Sequence, residues 1–263
     1  MLFNIFSAYG KAVSSPPEAV SAEASPVATV VTSDAEAVRI AQRLGPTLAE
    51  KADLRDRDRR LPQDELDVLS RSGLLGITAP AAYGGADVAV ATLVEVFRLL
   101  AVADASLAQI PQSHFVFLDA LRRQGTAEQQ AYFFAEALAG KRFANAQSER
   151  GGKTIVDDAT TLRRDGDGYQ LDGEKFYSTG ALCAHWLVVR AVTVDADLPG
   201  GNPAKALAYV RADAPGISIV DDWDGMGQRT TASGTVRLQQ VQVPAAQVVP
   251  FSSIFDRPGT YGA

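Results

Sequence analysis

Two short polar segments hold the residues of this chain that are best suited to chemistry. The first, NAQSERGG at Asn145–Gly152, places amide and hydroxyl side chains beside a glycine pair, just after an extended run. Glycines let a backbone approach a flat or charged ligand closely, and Ser148 offers a hydrogen-bond donor. The same pattern is typical of an ordinary loop after a strand, so both interpretations stay open.

The second segment, GEKFYSTG at Gly173–Gly180, ends in an aromatic residue and two hydroxyls. Tyr177 could stack on a planar ring, and Ser178 and Thr179 could donate hydrogen bonds to the heteroatoms of that ring. The spacing by itself favours the plainer interpretation, in which a strand rich in aromatic and β-branched residues ends in a turn.

The remaining candidates are isolated residues. His114 lies in a largely apolar stretch that is typical of a helix. A single histidine there is more often structural than catalytic, although its near-neutral pKa would suit proton transfer. His185 and Cys183 are interpreted as structural. The acidic pairs 157–158 and 221–222 fall in predicted loops, where solvation explains them.

Composition excludes several classes of protein. The 263 residues carry a formal net charge of -6, which argues against a nucleic-acid partner because such binding depends on Lys and Arg. One cysteine rules out an internal disulfide, and with only two histidines no metal centre is expected. No apolar run reaches the roughly 18–20 residues that span a bilayer, and the N-terminus lacks the pattern of a signal peptide. We therefore expect a cytoplasmic protein without a membrane partner.

Local patterns divide the chain into three parts. Residues 1–32 are rich in Ala, Ser and Pro and are interpreted as a disordered tail. Residues 33–142 carry helical signals, and residues 143–263 carry short alternating strands separated by Gly and Pro turns, followed by a C-terminal loop. Helices followed by strands, without βαβ alternation, predict an α+β protein. It has an N-terminal all-helical domain and then a small antiparallel β-barrel or sandwich domain.

Capping and turn residues predict several boundaries. Ser33 and Thr126 each begin a capping box, and Asp87 is predicted to cap a third helix. The charged segment KADLRDRDRRLP, residues 51–62, is interpreted as a solvated connector. A hairpin is predicted at Asp165–Gly168, because Gly and Asp tolerate positive φ.

Four ordered motifs carry a resemblance to a known family. In chain order they are SGLLGITAPAAYGG (Ser72–Gly85), ANAQSE (Ala144–Glu149), LDGEKFYSTGA (Leu171–Ala181) and DGMGQRTTASGTVRLQQVQVP (Asp224–Pro244). With these motifs, residues 33–263 resemble the acyl-CoA dehydrogenase superfamily. The resemblance is to its flavin-dependent monooxygenase branch in particular, which includes sulfur-acquisition oxidoreductases and dibenzothiophene-desulfurising monooxygenases.

The resemblance implies a flavin site on the β-domain. Ser148 matches the residue that bonds the pyrimidine end of the flavin ring, Tyr177 the aromatic residue beside the ring, and Thr179 a hydroxyl near its reactive nitrogen and carbonyl. Asn145 matches an active-site Asn of the monooxygenases, and His114 a histidine on the substrate side of the flavin. The implied catalytic residues are His114, Asn145 and Thr179, and the implied cofactor-binding residues are Ser148, Tyr177 and Thr179.

The resemblance also implies an activity, namely that of a monooxygenase in organosulfur metabolism that depends on reduced FMN and O2. A separate flavin reductase would supply the reduced flavin. The alternative is an FAD-dependent acyl-CoA dehydrogenase that desaturates an acyl thioester. Dehydrogenases of the family commonly carry Trp-Ile-Thr and Thr-Glu-Pro at the positions of Tyr177-Ser178-Thr179 and Ser148-Glu149-Arg150, so this chain favours the monooxygenase branch.

The resemblance further implies a C-terminal four-helix bundle, which would begin near Phe255–Ala263, where the chain stops. The bundle is therefore expected to be absent. This expectation leads to a third hypothesis, a truncated and non-catalytic flavin-binding remnant. A homo-oligomer is also implied by the family, with altered assembly in the absence of the bundle.

Overall fold

The computed structural model describes residues 28–152, 157–197 and 203–251. The helices are α1 (Asp34–Ala49), α2 (Ala52–Asp58), α3 (Gln63–Arg71), α4 (Val90–Ala103), α5 (Ala105–Gln109), α6 (Gln112–Gln124) and α7 (Ala127–Leu138). The strands are β1 (Phe143–Ala146), β2 (Thr161–Asp165), β3 (Gly168–Lys175), β4 (Trp186–Asp197), β5 (Pro203–Arg211), β6 (Ile217–Val220), β7 (Thr235–Pro244) and β8 (Val248–Pro250). Helices come first and strands second, which confirms the α+β class. Within these ranges no helix combines the length and apolarity that crossing a membrane requires.

Capping side chains set the starts of α1 and α7. The Thr126 hydroxyl accepts a hydrogen bond from the Gln129 N–H, and the Gln129 side chain accepts one from the Thr126 N–H, which confirms this capping box. At α1 the Ser33 hydroxyl accepts from the Glu36 N–H at 3.3 Å. The Glu36 carboxylate, however, accepts from the N–H and the hydroxyl of Thr32. The second bond of the predicted capping box is therefore made with the residue before Ser33.

Asp34, and not Asp87, is the acidic residue that bonds the start of α4, where the N-cap residue is Ala89. The Asp34 carboxylate accepts from the Thr92 hydroxyl at 2.5 Å and from the Ala89 N–H at 3.1 Å, and these bonds hold its pKa below the ordinary value. Asp87 has a positive φ of 49° and pairs with Arg122 instead. The prediction for Asp87 is wrong because the chain takes a left-handed turn there, before the helix begins.

The charged segment 51–62 contains α2 and a buried arginine. Arg55 is 1% exposed and donates to Asp104 at 2.8 Å and to Glu65 at 2.7 Å. Asp104 also caps α5 by accepting from the Leu107 N–H at 3.0 Å. The interpretation of this segment as a solvated connector is wrong at Arg55, because its carboxylate partners come from distant parts of the chain.

Residues 28–32 pack onto the helical layer, where Ala28 and Val31 are buried. The predicted disordered tail at 1–32 is therefore wrong over this stretch, since buried apolar side chains hold it in place. The rest of that prediction, residues 1–27, lies outside the described part of the chain.

The sheet is mostly antiparallel, in the order β6-β7-β3-β2-β4-β5-β8, and β1 also pairs with β4. The predicted hairpin joins β2 to β3, with Asp165 opposite Gly168. Two pairs depart from the predicted antiparallel arrangement, because β1 and β2 both run parallel to β4. The short strand β8 pairs with β5 where the sequence predicts a loop after Pro244.

An aromatic cluster fixes α6 and α7 against the sheet. Phe133 of α7 packs on Tyr209 of β5 and on Trp186 of β4, with ring centroids 4.7 Å and 5.3 Å apart. The Tyr209 hydroxyl donates to the Phe117 carbonyl of α6 at 2.8 Å, and the Trp186 indole N–H donates to Glu136 at 2.8 Å. Both polar groups are therefore satisfied inside an apolar junction, which holds α6 beside β1.

Candidate active site

A cleft of about 410 Å³ opens between α6 and the sheet. The helical wall includes Ser113, Val116 and Phe117, and the sheet wall includes Asn145, Gln147 and Thr179. Small-molecule sites commonly measure roughly 300–1,000 Å³ and combine apolar walls with a few convergent polar groups. The cleft has both properties.

Asn145 of β1 and Gln147, which directly follows β1, both line the cleft, because successive residues of an extended chain point to opposite sides. Ala144 and Ala146 accordingly lie in the core of the sheet, where both are buried. The Asn145 amide donates to the Tyr177 carbonyl at 3.1 Å. Strand alternation therefore places two amides on one wall, and the turn that contains Tyr177 holds the first of them.

The turn after β3 presents an aromatic ring and a hydroxyl. Tyr177 has a φ of 55°, which is uncommon for a non-glycine residue and marks a backbone held by its surroundings. Its side chain is 49% exposed and meets Trp223 edge to face, with ring centroids 6.4 Å apart. The Thr179 hydroxyl lies 2.9 Å from the Ser233 hydroxyl. The turn thus displays Tyr177 and Thr179 next to the first amide of the cleft.

Ser148 lies beside the same turn. Its carbonyl accepts from the Phe176 N–H at 2.8 Å, which bridges the end of β1 to the end of β3. Its hydroxyl has no hydrogen-bond partner among the described residues, so it is available to a ligand. Four of the predicted site residues, Asn145, Ser148, Tyr177 and Thr179, are therefore brought together.

A buried ionic network supports the loop that follows β1. The Asp158 side chain is fully buried. It pairs with three cations from β3, β4 and β5, namely Lys175, Arg190 and Lys205, at 3.2, 2.9 and 2.9 Å. Glu149 joins the network through Lys175 at 2.6 Å. Desolvation raises the pKa of both carboxyl groups, but hydrogen bonds outweigh it and hold both pKa values below the ordinary range. These bonds come from Arg190 and Lys205 at Asp158, and from Lys175, Thr160 and Ala159 at Glu149. The interpretation of Asp158 as a solvated loop residue is therefore wrong.

His114 lies at the junction of the helical layer and the sheet, and it does not line the cleft. It is 1% exposed, with Nε2 2.8 Å from the Leu75 carbonyl and Nδ1 accepting from the Phe143 N–H at 3.3 Å. These contacts require a neutral ring with its proton on Nε2, and burial lowers its pKa to about 4. Both ring nitrogens are engaged, so the geometry does not support the acid–base role that the resemblance implies for His114.

Two further ionisable residues are structural, as predicted from the sequence. His185 Nδ1 accepts from the Arg142 N–H at 3.1 Å, and burial lowers the pKa of His185 to about 4. Burial raises the pKa of the Cys183 thiol to about 11, which leaves it protonated and unreactive near neutral pH. In the described part of the chain, no three His, Cys, Asp or Glu side chains cluster so as to hold a metal ion.

Gln147 and Ser233 belong to the site but were not predicted as site residues. The available signal for Gln147 is its two-residue spacing from Asn145 on one strand face. The signal for Ser233 is the hydroxyl-rich run Thr230–Ser233 in the fourth motif. Ser233 and Thr179 are 54 residues apart in the chain, so only the folded structure reveals their contact.

Comparison with known proteins assigns both layers to domains of one family. Residues 35–141 match the N-terminal domain of acyl-CoA dehydrogenase. Residues 144–241 match the middle domain of acyl-CoA dehydrogenase. The first match corresponds to the helical layer, and the second to the sheet that carries the site.

Individual relatives are similar to most of this chain. A dibenzothiophene monooxygenase of Rhodococcus qingshengii is 29% identical over 225 residues, which cover 84% of this chain and 53% of the relative. The probable FMNH2-dependent monooxygenase SfnC of Pseudomonas putida is 30% identical over 218 residues, which cover 82% of this chain and 52% of the relative. The structure of FMN-bound TdsC from Paenibacillus sp. A11-2 matches with a TM-score of 0.73 and 30% sequence identity. The match covers 84% of this chain and 55% of TdsC. The chain thus spans about half the length of the relatives it matches.

Proposed function

Because this chain belongs to the acyl-CoA dehydrogenase superfamily, we propose that its cleft binds reduced FMN and that the protein is an O2-dependent monooxygenase of small organosulfur compounds. The observation that carries the proposal is that Asn145 and Thr179 line the cleft opposite α6, with Ser148 and Tyr177 bonded into the same turn beside them. The relatives named as dibenzothiophene and FMNH2-dependent monooxygenases support this activity over desaturation of an acyl thioester with FAD.

The residues at the cleft fit a flavin ring, which combines flat apolar faces with a polar edge. Within the cleft Asn145 and Thr179 offer an amide and a hydroxyl. Beside it the exposed Tyr177 ring offers an aromatic surface, over which the Arg150 guanidinium lies 5.2 Å from the ring centroid. On the opposite wall the Ser113 hydroxyl is buried without a partner among the described residues. Buried polar atoms are normally hydrogen-bonded, so this hydroxyl supports a ligand with polar groups in the cleft.

Each residue has a role that follows from its position. Ser148 and Tyr177 would hold and orient the ring, and Asn145 and Thr179 would form hydrogen bonds at its reacting edge. The apolar side chains of α6 would exclude water from the bound substrate. His114 would act as a positioning residue, because it ties the first residue of β1 to the helical layer.

Bound reduced FMN would supply two electrons and two protons, so that one atom of O2 is transferred to the organosulfur substrate and the other leaves as water. The new bond would be to sulfur in a sulfide, and to the carbon beside sulfur in a sulfone or sulfonate, where sulfur has no lone pair. A separate flavin reductase is the proposed source of the reduced flavin. Cytoplasmic location and homo-oligomeric assembly belong to the same proposal.

The test is oxygen transfer from labelled O2. The protein is mixed with reduced FMN, ¹⁸O2 and a panel of sulfides, sulfones and sulfonates, and the products are analysed by mass spectrometry. The proposal predicts one labelled oxygen atom in a product that forms only when both reduced FMN and O2 are present. If no substrate in the panel is oxygenated, the proposed function is overturned. Dye-linked oxidation of an acyl-CoA would instead support the dehydrogenase alternative, and saturable binding of FMN without any oxygenated product would support the non-catalytic one.

A further inference from the structure

Three hydroxyls run in a line from the cleft into the loop before β7. The Thr179 hydroxyl lies 2.9 Å from that of Ser233, and the Ser233 hydroxyl lies 2.7 Å from that of Thr231. The Thr231 hydroxyl in turn donates to the Gln228 carbonyl at 3.1 Å. We refer to Thr179, Ser233 and Thr231 as the hydroxyl chain.

The last bond fixes the direction of the others. A carbonyl oxygen can only accept, so Thr231 uses its single hydroxyl proton on Gln228. The contact between Thr231 and Ser233 then requires the Ser233 proton, and the contact between Ser233 and Thr179 requires the Thr179 proton. Thr179 is therefore left with lone pairs alone to present to the cleft.

Burial and backbone bonds preserve this direction. Thr231 is 1% exposed and Ser233 is 5% exposed, so water does not readily replace either partner. The Thr231 carbonyl accepts from the Gly180 N–H at 2.9 Å, which fastens the loop to the turn that carries Thr179. The Trp223 indole N–H also donates to the Gln228 carbonyl, at 3.0 Å, and so holds the group that accepts from the last member of the hydroxyl chain.

We infer that Ser233 and Thr231 are positioning residues that make Thr179 a hydrogen-bond acceptor, and that the site thereby selects reduced over oxidised flavin. The inference rests on the proposed function, in which Thr179 forms a hydrogen bond at the reacting edge of the ring. The ring nitrogen at that edge carries a proton in reduced flavin, which it would donate to Thr179. In oxidised flavin it carries only a lone pair, which an acceptor repels.

The test compares the dissociation constants of reduced and oxidised FMN. Reduced FMN is titrated anaerobically by calorimetry, and oxidised FMN by quenching of its fluorescence. The wild-type protein is expected to bind reduced FMN more tightly, by about five- to tenfold, the ratio that one neutral hydrogen bond supports. Thr231→Val and Ser233→Ala each free Thr179 to donate, so both are expected to lower this ratio towards one.

Thr230→Val is the matched control. Thr230 is 1% exposed like its neighbour, and its hydroxyl has no partner among the described residues, so the same change there leaves the hydroxyl chain intact. The wild-type ratio is expected in this variant, with thermal melts to check folding in all four proteins. An unchanged ratio in both Thr231→Val and Ser233→Ala, or an equal fall in Thr230→Val, overturns the inference but leaves the proposed function standing. A wild-type protein that binds neither form overturns both.

Discussion

The side chains of His114 and Asp158 are both buried, but His114 is expected to be neutral and Asp158 to be charged. His114 is surrounded by apolar groups and by two backbone partners, so burial favours its neutral form and lowers its pKa to about 4. Asp158 is surrounded by three cations that favour its charged form and lower its pKa against the effect of burial. At the scale of single residues, the partners therefore decide the charge.

The first prediction concerns stability in mild acid. The pKa of His114 is about 4 in the folded protein, against an ordinary value of 6.5, so the unfolded chain binds the proton first as the pH falls. The free energy of unfolding is therefore expected to be fully retained above about pH 6.5. It is expected to fall by about 1.4 kcal/mol per pH unit for this residue on the way to pH 4. Urea unfolding at pH 7, 6 and 5 measures this slope.

The His114→Gln variant tests the origin of the slope. It should reduce the pH dependence between 6.5 and 4 by about one proton, while His185 continues to contribute through its own lowered pKa. Glu149 and Asp158, whose pKa values are also lowered, lose their stabilising contribution at lower pH, below their ordinary pKa values of 4.5 and 3.8. A slope that is the same in wild type and His114→Gln would contradict the assignment.

At the scale of elements, Arg55 joins α2 to α3 and to the start of α5. Arg55→Ala is expected to lower the free energy of unfolding by about 3–5 kcal/mol, because it leaves the Asp104 carboxylate buried without its partner. Arg57→Ala is the control on the same helix, since the pair between Arg57 and Asp58 is exposed and should change stability little. Denaturant unfolding compares the two, and equal small effects would contradict the role of Arg55.

The turn that follows α3 packs closely against residues 28–32. Gly73 has a φ of 83°, and a Cβ at this position would overlap the Thr29 carbonyl. Gly73→Ala is therefore expected to cost more than about 1 kcal/mol of stability. Gly84 has a similar φ of 88° but only the Leu138 side chain at 3.9 Å, so Gly84→Ala isolates the backbone strain. A Gly73→Ala protein as stable as Gly84→Ala would contradict the predicted clash.

Elements with local signals could be predicted from the sequence, and those that depend on distant partners could not. The capping box at Thr126 and the hairpin at Asp165–Gly168 use residues within one turn of each other, and both are observed. The burial of Arg55 depends on Asp104, 49 residues away. The parallel pairing of β1 with β4 likewise brings together strands about forty residues apart.

The same distinction applies to the candidate site. The motifs predicted Asn145, Ser148, Tyr177 and Thr179 as site residues, because each lies in a recognisable local sequence. The position of His114 within the junction depends on packing between the helical layer and β1. A sequence pattern shows which residue types are available, but not which of them a folded chain buries.

At the scale of the whole molecule, the aromatic cluster sets the distance between the two walls of the cleft. Phe133, Trp186 and Tyr209 hold the helices against the sheet, so the polar groups of β1 face the apolar side of α6. The proposed function requires that reduced FMN bind in this space through Asn145 and Thr179.

An anaerobic calorimetric titration with reduced FMN tests that claim most directly. Saturable binding is predicted for the wild-type protein and for Gln242→Ala, a control on the exposed face of β7. Binding weakened by at least about fivefold is predicted for Asn145→Ala and for Thr179→Val, because each loses one hydrogen bond to the ring. No binding by the wild-type protein, or dissociation constants that are the same in all four proteins, would contradict the account.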